Sequence, residues 1–188
     1  MIPYTTEPRA DTGVSNVTMG IWLFLASEVM LFGALFSSYA LLRVAAVDWP
    51  SGRDVLSLTF GLLNTMTLVL TTLFVLRARS SGHAKLRQNL GISILFAAVF
   101  LVSKSLEWRQ ELSLGLLPST STFLATYFTL TGLHAAHVVA GVFANVWVAT
   151  GLARVSAAMT AGRTRALALY WVFVDLIWLI ILVLLYLT

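Results

Sequence analysis

Residues 123–153 run for 31 positions without an Asp, Glu, Lys or Arg. A helix needs only about 20 mostly apolar residues to cross a bilayer. At about 1.5 Å per residue this stretch would be roughly 45 Å long, so it must tilt or project. Four more stretches follow the same rule. Residues 20–42 carry one charge, Glu28; residues 55–76 carry none; residues 89–103 are uncharged and continue through Lys104 and Glu107; residues 166–187 carry only Asp175. Of the 188 residues, 59% are hydrophobic and 11% charged, whereas globular chains average about 25% charged. One soluble core of this size could not bury so much apolar surface, and disordered chains are far more polar. The apolar runs are continuous, not alternating, which selects helices over barrel strands. The expected fold is therefore all-α: a polytopic membrane protein, a bundle of five transmembrane helices at roughly 20–43, 54–77, 87–109, 121–153 and 166–187. Residues 1–19 form a polar N-terminal segment before the 20–188 domain. That segment lacks the apolar centre of a cleavable signal peptide. Pro3, Pro8, Pro50 and Pro118 all fall outside the spans, where a missing backbone donor costs little.

Basic residues set the expected orientation. Arg77, Arg79, Lys85 and Arg87 follow the second span, and Arg154, Arg163 and Arg165 follow the fourth. Arg43 and Arg53 follow the first. The positive-inside rule then places the N-terminus in the cytoplasm and the C-terminus outside. These loops read as topology signals, not as a nucleic-acid surface, because no aromatic residues interleave them. The chain has no cysteine, which removes disulfides, thiolate metal sites and cysteine nucleophiles.

Ionisable groups inside a membrane are costly, so each is a functional candidate. Glu28 is expected about 12 Å into its span. A lone carboxylate there is either protonated or paired; it serves proton transfer, or it ties helices together. Lys104 and Glu107 share a helix face and can pair near the helix end, with Glu111 one turn further and Trp108 as an interfacial anchor. His134 and His137 also lie three apart. They form a weak metal or haem signal and are better suited to meet carboxylates on other helices, Glu28 and Asp175. Asp175 has Trp171 at i−4 and Trp178 at i+3, so either indole could donate to it. Gly132, Ala136, Ala140 and Ala144 form a small-residue stripe, His137, Gly141 and Asn145 an adjoining ridge, and Asn64, Thr67 and Thr71 a polar stripe; all suit close helix packing.

Five segments, in order, resemble subunit III of the haem–copper respiratory oxidases. They are GIWLFLASEVMLF at 20–32, LLNT at 62–65, Glu107-Trp108, STFLATYFTLTGLHAAHVVAG at 121–141 and YWVFVDLIWL at 170–179. The resemblance covers roughly residues 15–188 and is to the short, five-helix bacterial form. It implies an accessory subunit bound to oxidase subunit I, with subunit II in the same complex. Haem and copper would lie in those partners and none in this chain. It implies that Glu28 is the family's buried protonatable glutamate, that His134 and His137 match its paired histidines and that Asp175 matches its last-helix aspartate; with Trp171, which shares a face with Asp175, these are expected to form an interhelical polar network. Subunits of this kind support proton uptake and hold structural phospholipid, in a complex that reduces oxygen to water and translocates protons. The family commonly has His in the last helix where this chain has Val172, so that network lacks one imidazole. Cytochrome c is the expected electron donor and the bacterial inner membrane the expected location. Subunit III of a quinol oxidase, an accessory protein of nitric oxide reductase, a stand-alone proton-coupled transporter and a haem protein using His134 and His137 are the alternatives.

Overall fold

The computed structural model describes residues 9–10, 13–152 and 155–188. Most of the polar segment, including Pro3 and Pro8, and Arg154 lie outside the described residues. Among the described residues there are helices and connections but no strand. Five long helices, α1 (Asn16–Ala45), α3 (Leu58–Arg79), α4 (His83–Ser113), α5 (Thr122–Gly151) and α6 (Ala157–Leu182), are each long and apolar enough to cross a membrane. A single turn, α2 (Gly52–Val55), lies between the first two, and a π-turn, Val183–Leu187, continues α6.

The helices outrun the apolar windows because helical hydrogen bonding is local and does not stop where charge begins. Helix α1 starts one turn earlier than its first apolar residues suggest, since the Ser15 hydroxyl accepts from the Thr18 N–H at 3.3 Å and caps it. Helix α6 starts nine residues before position 166, where the Ser156 hydroxyl accepts from the Met159 N–H. Its first turns thus carry Arg163 and Arg165. Helix α4 likewise includes Lys85 and Arg87.

Helices α3, α4, α5 and α6 pack in a ring, each against the next and α6 back against α3, while α1 lies outside against α6 and α5. Helix α5 shows how the ring forms. Tyr127, Thr131, His134, Val138, Gly141, Asn145 and Val148 are buried at alternating steps of three and four, the spacing that keeps one helix face turned inward. The stripe through Gly132, Ala136, Ala140 and Ala144 is not on that face. Ala136 and Ala140 are exposed, and Ala140 and Ala144 line a groove beside α1. The close contact expected of that stripe is made by the neighbouring ridge, because Gly141 leaves room for the Trp171 indole.

Helix α1 buries only Leu25, Phe32 and Tyr39, one residue every two turns. Its other large apolar residues, among them Trp22, Leu23, Val29 and Met30, are exposed, as suits a helix facing lipid or a partner. The C-terminal turn is tied to α1 and to the turn that follows it: the Gly52 N–H donates to the Thr188 carbonyl at 2.9 Å, and the Tyr39 hydroxyl donates to the Leu184 carbonyl at 2.5 Å.

Gly141 is the most exacting glycine in the ring. A Cβ there would lie 2.7 Å from Trp171, a rigid side chain held in place by its own hydrogen bond. Gly141→Ala is expected to lower the unfolding free energy of the purified chain by about 1–3 kcal/mol, the usual range for overpacking. Gly33→Ala, where a Cβ meets nothing within 4 Å, should not lower thermal stability in detergent and should raise it slightly, since Ala favours a helix interior over Gly.

Candidate functional site

Glu28 on α1 and His137 on α5 join the outer helix to the ring. Glu28 Oε2 and His137 Nε2 are 2.8 Å apart, and each side chain is 13% exposed. The other ring nitrogen, Nδ1, is 2.8 Å from the Leu133 carbonyl. A carbonyl oxygen only accepts, so Nδ1 carries a hydrogen and donates it. Nε2 is then an acceptor from a protonated Glu28, or the donor of an imidazolium to a carboxylate. Either way one proton lies between the two groups and the pair is neutral. Phe32 packs 5.2 Å from the imidazole, and the Tyr170 hydroxyl donates to the His137 carbonyl at 2.7 Å. That bond registers α6 against the pair.

His134, one turn away, has a different setting. It is fully buried between Phe100 and Trp178, at ring separations of 5.6 and 5.1 Å, and neither ring nitrogen has a hydrogen-bond partner. No carboxylate reaches it: its ring packs against Phe100 of α4 and Trp178 of α6, and Glu28 is taken up by His137. Asp175 is half-buried, and its Oδ1 has no hydrogen bond. Thr72 of α3 is the polar side chain that faces it. The two indoles that share its helix face point elsewhere. Trp171 Nε1 donates to Asn145 Oδ1 at 3.0 Å, and Trp178 Nε1 donates to Thr65 Oγ1 at 3.0 Å. Each indole thus meets an oxygen on an adjacent helix, α5 or α3, and not the carboxylate of its own helix. Asn145 in turn donates to Ser93 Oγ at 2.6 Å, so Trp171, Asn145 and Ser93 link α6, α5 and α4. His134, His137, Asp175 and Trp171 therefore occupy separate settings and do not share one network. Val172 lines an open apolar groove of about 550 Å³ between α1 and α6, with Trp22, Leu25, Val29 and Met30.

The densest polar assembly lies at the other end of α4. Lys104 and Glu107 pair at 3.0 Å, but they are 1% and 2% exposed, so this is no interfacial ion pair. The rings of Tyr127 and Tyr186 cover it, and Lys104 Nζ donates to their hydroxyls at 2.9 and 2.6 Å. Tyr186 passes its hydrogen to Glu107, and Asn64 Nδ2 lies 3.4 Å from the same carboxylate. Glu111, also buried, lies 2.8 Å from the Tyr127 hydroxyl. Four elements thus meet at one buried ion pair: α4 supplies Lys104 and Glu107, α5 and the C-terminal π-turn reach both through Tyr127 and Tyr186, and α3 reaches Glu107 through Asn64. The tyrosines and Asn145 were not singled out as site residues from the sequence. Their signal was present, since Tyr127 and Asn145 fall on the same three-and-four spacing as His134. Among the described residues, no group of three His, Cys, Asp or Glu side chains is placed to hold a metal ion.

A five-helix membrane bundle with one shared-proton pair and one buried lysine cluster defines a polytopic membrane protein. Comparison with known proteins then specifies the family. The model of the family described as cytochrome c oxidase subunit III matches residues 9–188, and the chain belongs to that family. Subunit 3 of the cytochrome bo(3) ubiquinol oxidase of Pseudomonas aeruginosa is 31% identical, over 94% of this chain and 87% of the relative. Cytochrome c oxidase subunit 3 of Bacillus sp. (strain PS3) is 28% identical, over 98% and 92%. A heme-copper oxidase subunit I+III of Aeropyrum pernix is 30% identical over 92% of this chain and 23% of its own length.

The Glu28–His137 contact makes a stability prediction. Glu28→Gln keeps a donor for Nε2 and should unfold within error of the parent. Glu28→Ala leaves the buried imidazole nitrogen unpaired and should lose about 1–3 kcal/mol. Thermal unfolding of both variants checks this, and equal loss in the two would contradict it.

Proposed function

We propose that this chain is the accessory, non-redox subunit III of a proton-translocating haem–copper oxidase that reduces oxygen to water in aerobic electron transport. The observation that carries the reading is the family match along residues 9–188 onto a chain whose α1 and α5 meet through Glu28 and His137. The comparisons do not favour a stand-alone transporter or a nitric oxide reductase accessory protein.

The chain stabilises subunit I and supports proton uptake there, with Glu28 as the membrane-buried protonatable group. Its pairing with His137 supports this role, because the proton has two alternative holders 2.8 Å apart. Haem and copper reside in the partner subunits. Subunit I is the main contact, a reading supported by the relative whose name joins subunits I and III in one chain; subunit II completes the complex. The apolar groove between α1 and α6 suits the acyl chains of structural phospholipid. Arg77, Arg79, Lys85, Arg87, Arg163 and Arg165 collect at one end of the bundle, which supports a cytoplasmic N-terminus. Bacterial relatives support the bacterial inner membrane as the location. Cytochrome c is the proposed donor, as in the family description. The relative named for ubiquinol supports a second reading in which quinol takes that place.

Affinity purification of the tagged chain from its native membrane in mild detergent should bring down a haem-containing complex with a large polytopic partner. Oxygen uptake by that complex with reduced cytochrome c, and not with quinol, is the expected result. A colourless chain that purifies without such a partner would overturn the proposal.

A further inference from the structure

The cluster around Lys104 contains more acceptors than its hydrogens can serve. Lys104 spends all three N–H bonds, on Glu107 Oε2, Tyr127 Oη and Tyr186 Oη. Glu107 is surrounded by donors: Lys104 and Asn64 at Oε2, Tyr186 at Oε1. It is therefore the carboxylate that balances the ammonium. Tyr127 has a single hydroxyl hydrogen but lies 3.1 Å from Glu107 Oε1 and 2.8 Å from Glu111 Oε1. Donating it to Glu111 would leave two oxygens facing each other at 3.1 Å with no hydrogen between them. Donating it to Glu107 requires that Glu111 supply the hydrogen for its own contact with Tyr127.

Charge leads to the same placement. With both carboxylates ionised against one ammonium, the middle of the four helices would hold an uncompensated negative charge, which is costly out of water. Glu111 is 5% exposed, and its Oε2 has no hydrogen-bond partner. An ionised carboxylate is poorly served there; a neutral carboxylic acid is tolerated. The groups that face Glu111 are Glu107 and Lys104 from α4, Tyr127 from α5 and Tyr186 from the π-turn, with Asn64 of α3 behind Glu107. His134 lies beyond Lys104 and adds no hydrogen bond.

We infer that this cluster is a second proton-binding site of the chain, separate from the Glu28–His137 pair, in which Glu111 holds one proton and Tyr127 relays it to Glu107. In the relay, the O–H bond of Glu111 breaks as its proton bonds to Tyr127 Oη. The O–H bond of Tyr127 breaks as that proton bonds to Glu107 Oε1. Glu111 ends as a carboxylate and Glu107 as an acid, and the net charge of the cluster stays at zero. Glu111 lies nearest the end of α4, at the side of the bundle that carries the 114–121 connection, so it is the member closest to water. The site does not depend on which electron donor the complex uses.

Infrared difference spectroscopy of the purified complex tests the inference, because a protonated carboxyl has a carbonyl stretch distinct from carboxylate bands. Glu111→Gln, whose amide replaces the acid as donor to Tyr127, should remove one carboxylic-acid band relative to the parent. Glu107→Gln should also remove one, since Glu111 must then ionise to balance Lys104. Tyr127→Phe keeps both carboxyls and should shift the same band as Glu111 loses its partner. A carboxylic-acid region left unchanged by Glu111→Gln would overturn the inference. If that variant does not assemble, an unshifted band in Tyr127→Phe would overturn it as well.

Discussion

An ammonium ion at the centre of four membrane helices governs this fold. Lys104 has no water to solvate it, so its three hydrogens must find oxygens in fixed directions. Those oxygens come from its own helix, from α5 and from the last turn of the chain. Tyr186 can reach only if α6 runs its full length and continues into the π-turn. Asn64 can reach Glu107 only if α3 packs beside α4. The hydrogen-bond demand of one side chain therefore sets the register of the ring at that end. Dispersion between apolar side chains, which lipid tails offer almost equally well, could not select that register alone. At the opposite end the same task falls to neutral groups, the Trp171–Asn145–Ser93 chain.

Helix α1 follows another rule. Only three of its residues, at seven-residue spacing, are buried against the rest of the chain, and the Tyr39 hydroxyl and Glu28 add its polar ties. Most of its surface is apolar and uncovered within this chain, which suits a helix whose remaining neighbours are lipid and other subunits. The Glu28–His137 contact thus lies at a joint between a well-packed ring and a lightly held helix.

The helical count and membrane character were readable because bilayer thickness imposes length and charge limits on the sequence itself. Helix ends were less legible, since capping by Ser15 and Ser156 and local hydrogen bonding carry α1 and α6 past the apolar windows. Among the ionisable residues, Glu28, His137, Lys104 and Glu107 stood out by their placement in apolar runs. Their partners did not follow from spacing alone. Trp171 and Trp178 share a face with Asp175, yet their indoles donate to Asn145 of α5 and Thr65 of α3, partners that spacing within α6 does not reveal. Tyr127 and Tyr186 are ordinary interfacial residues by composition, and only closure of the ring, which brings α5 and the C-terminal π-turn to Lys104, reveals them as ligands of a buried lysine.

The dependence of the ring on Lys104 can be measured by a comparison of Lys104→Met with the double variant Lys104→Met/Glu107→Gln in thermal unfolding of the purified chain. The single variant strands a buried carboxylate and should cost about 3–5 kcal/mol, while removal of both charges should restore most of that loss. A Lys104→Met variant as stable as the parent, or a double variant no more stable than the single one, would contradict the account.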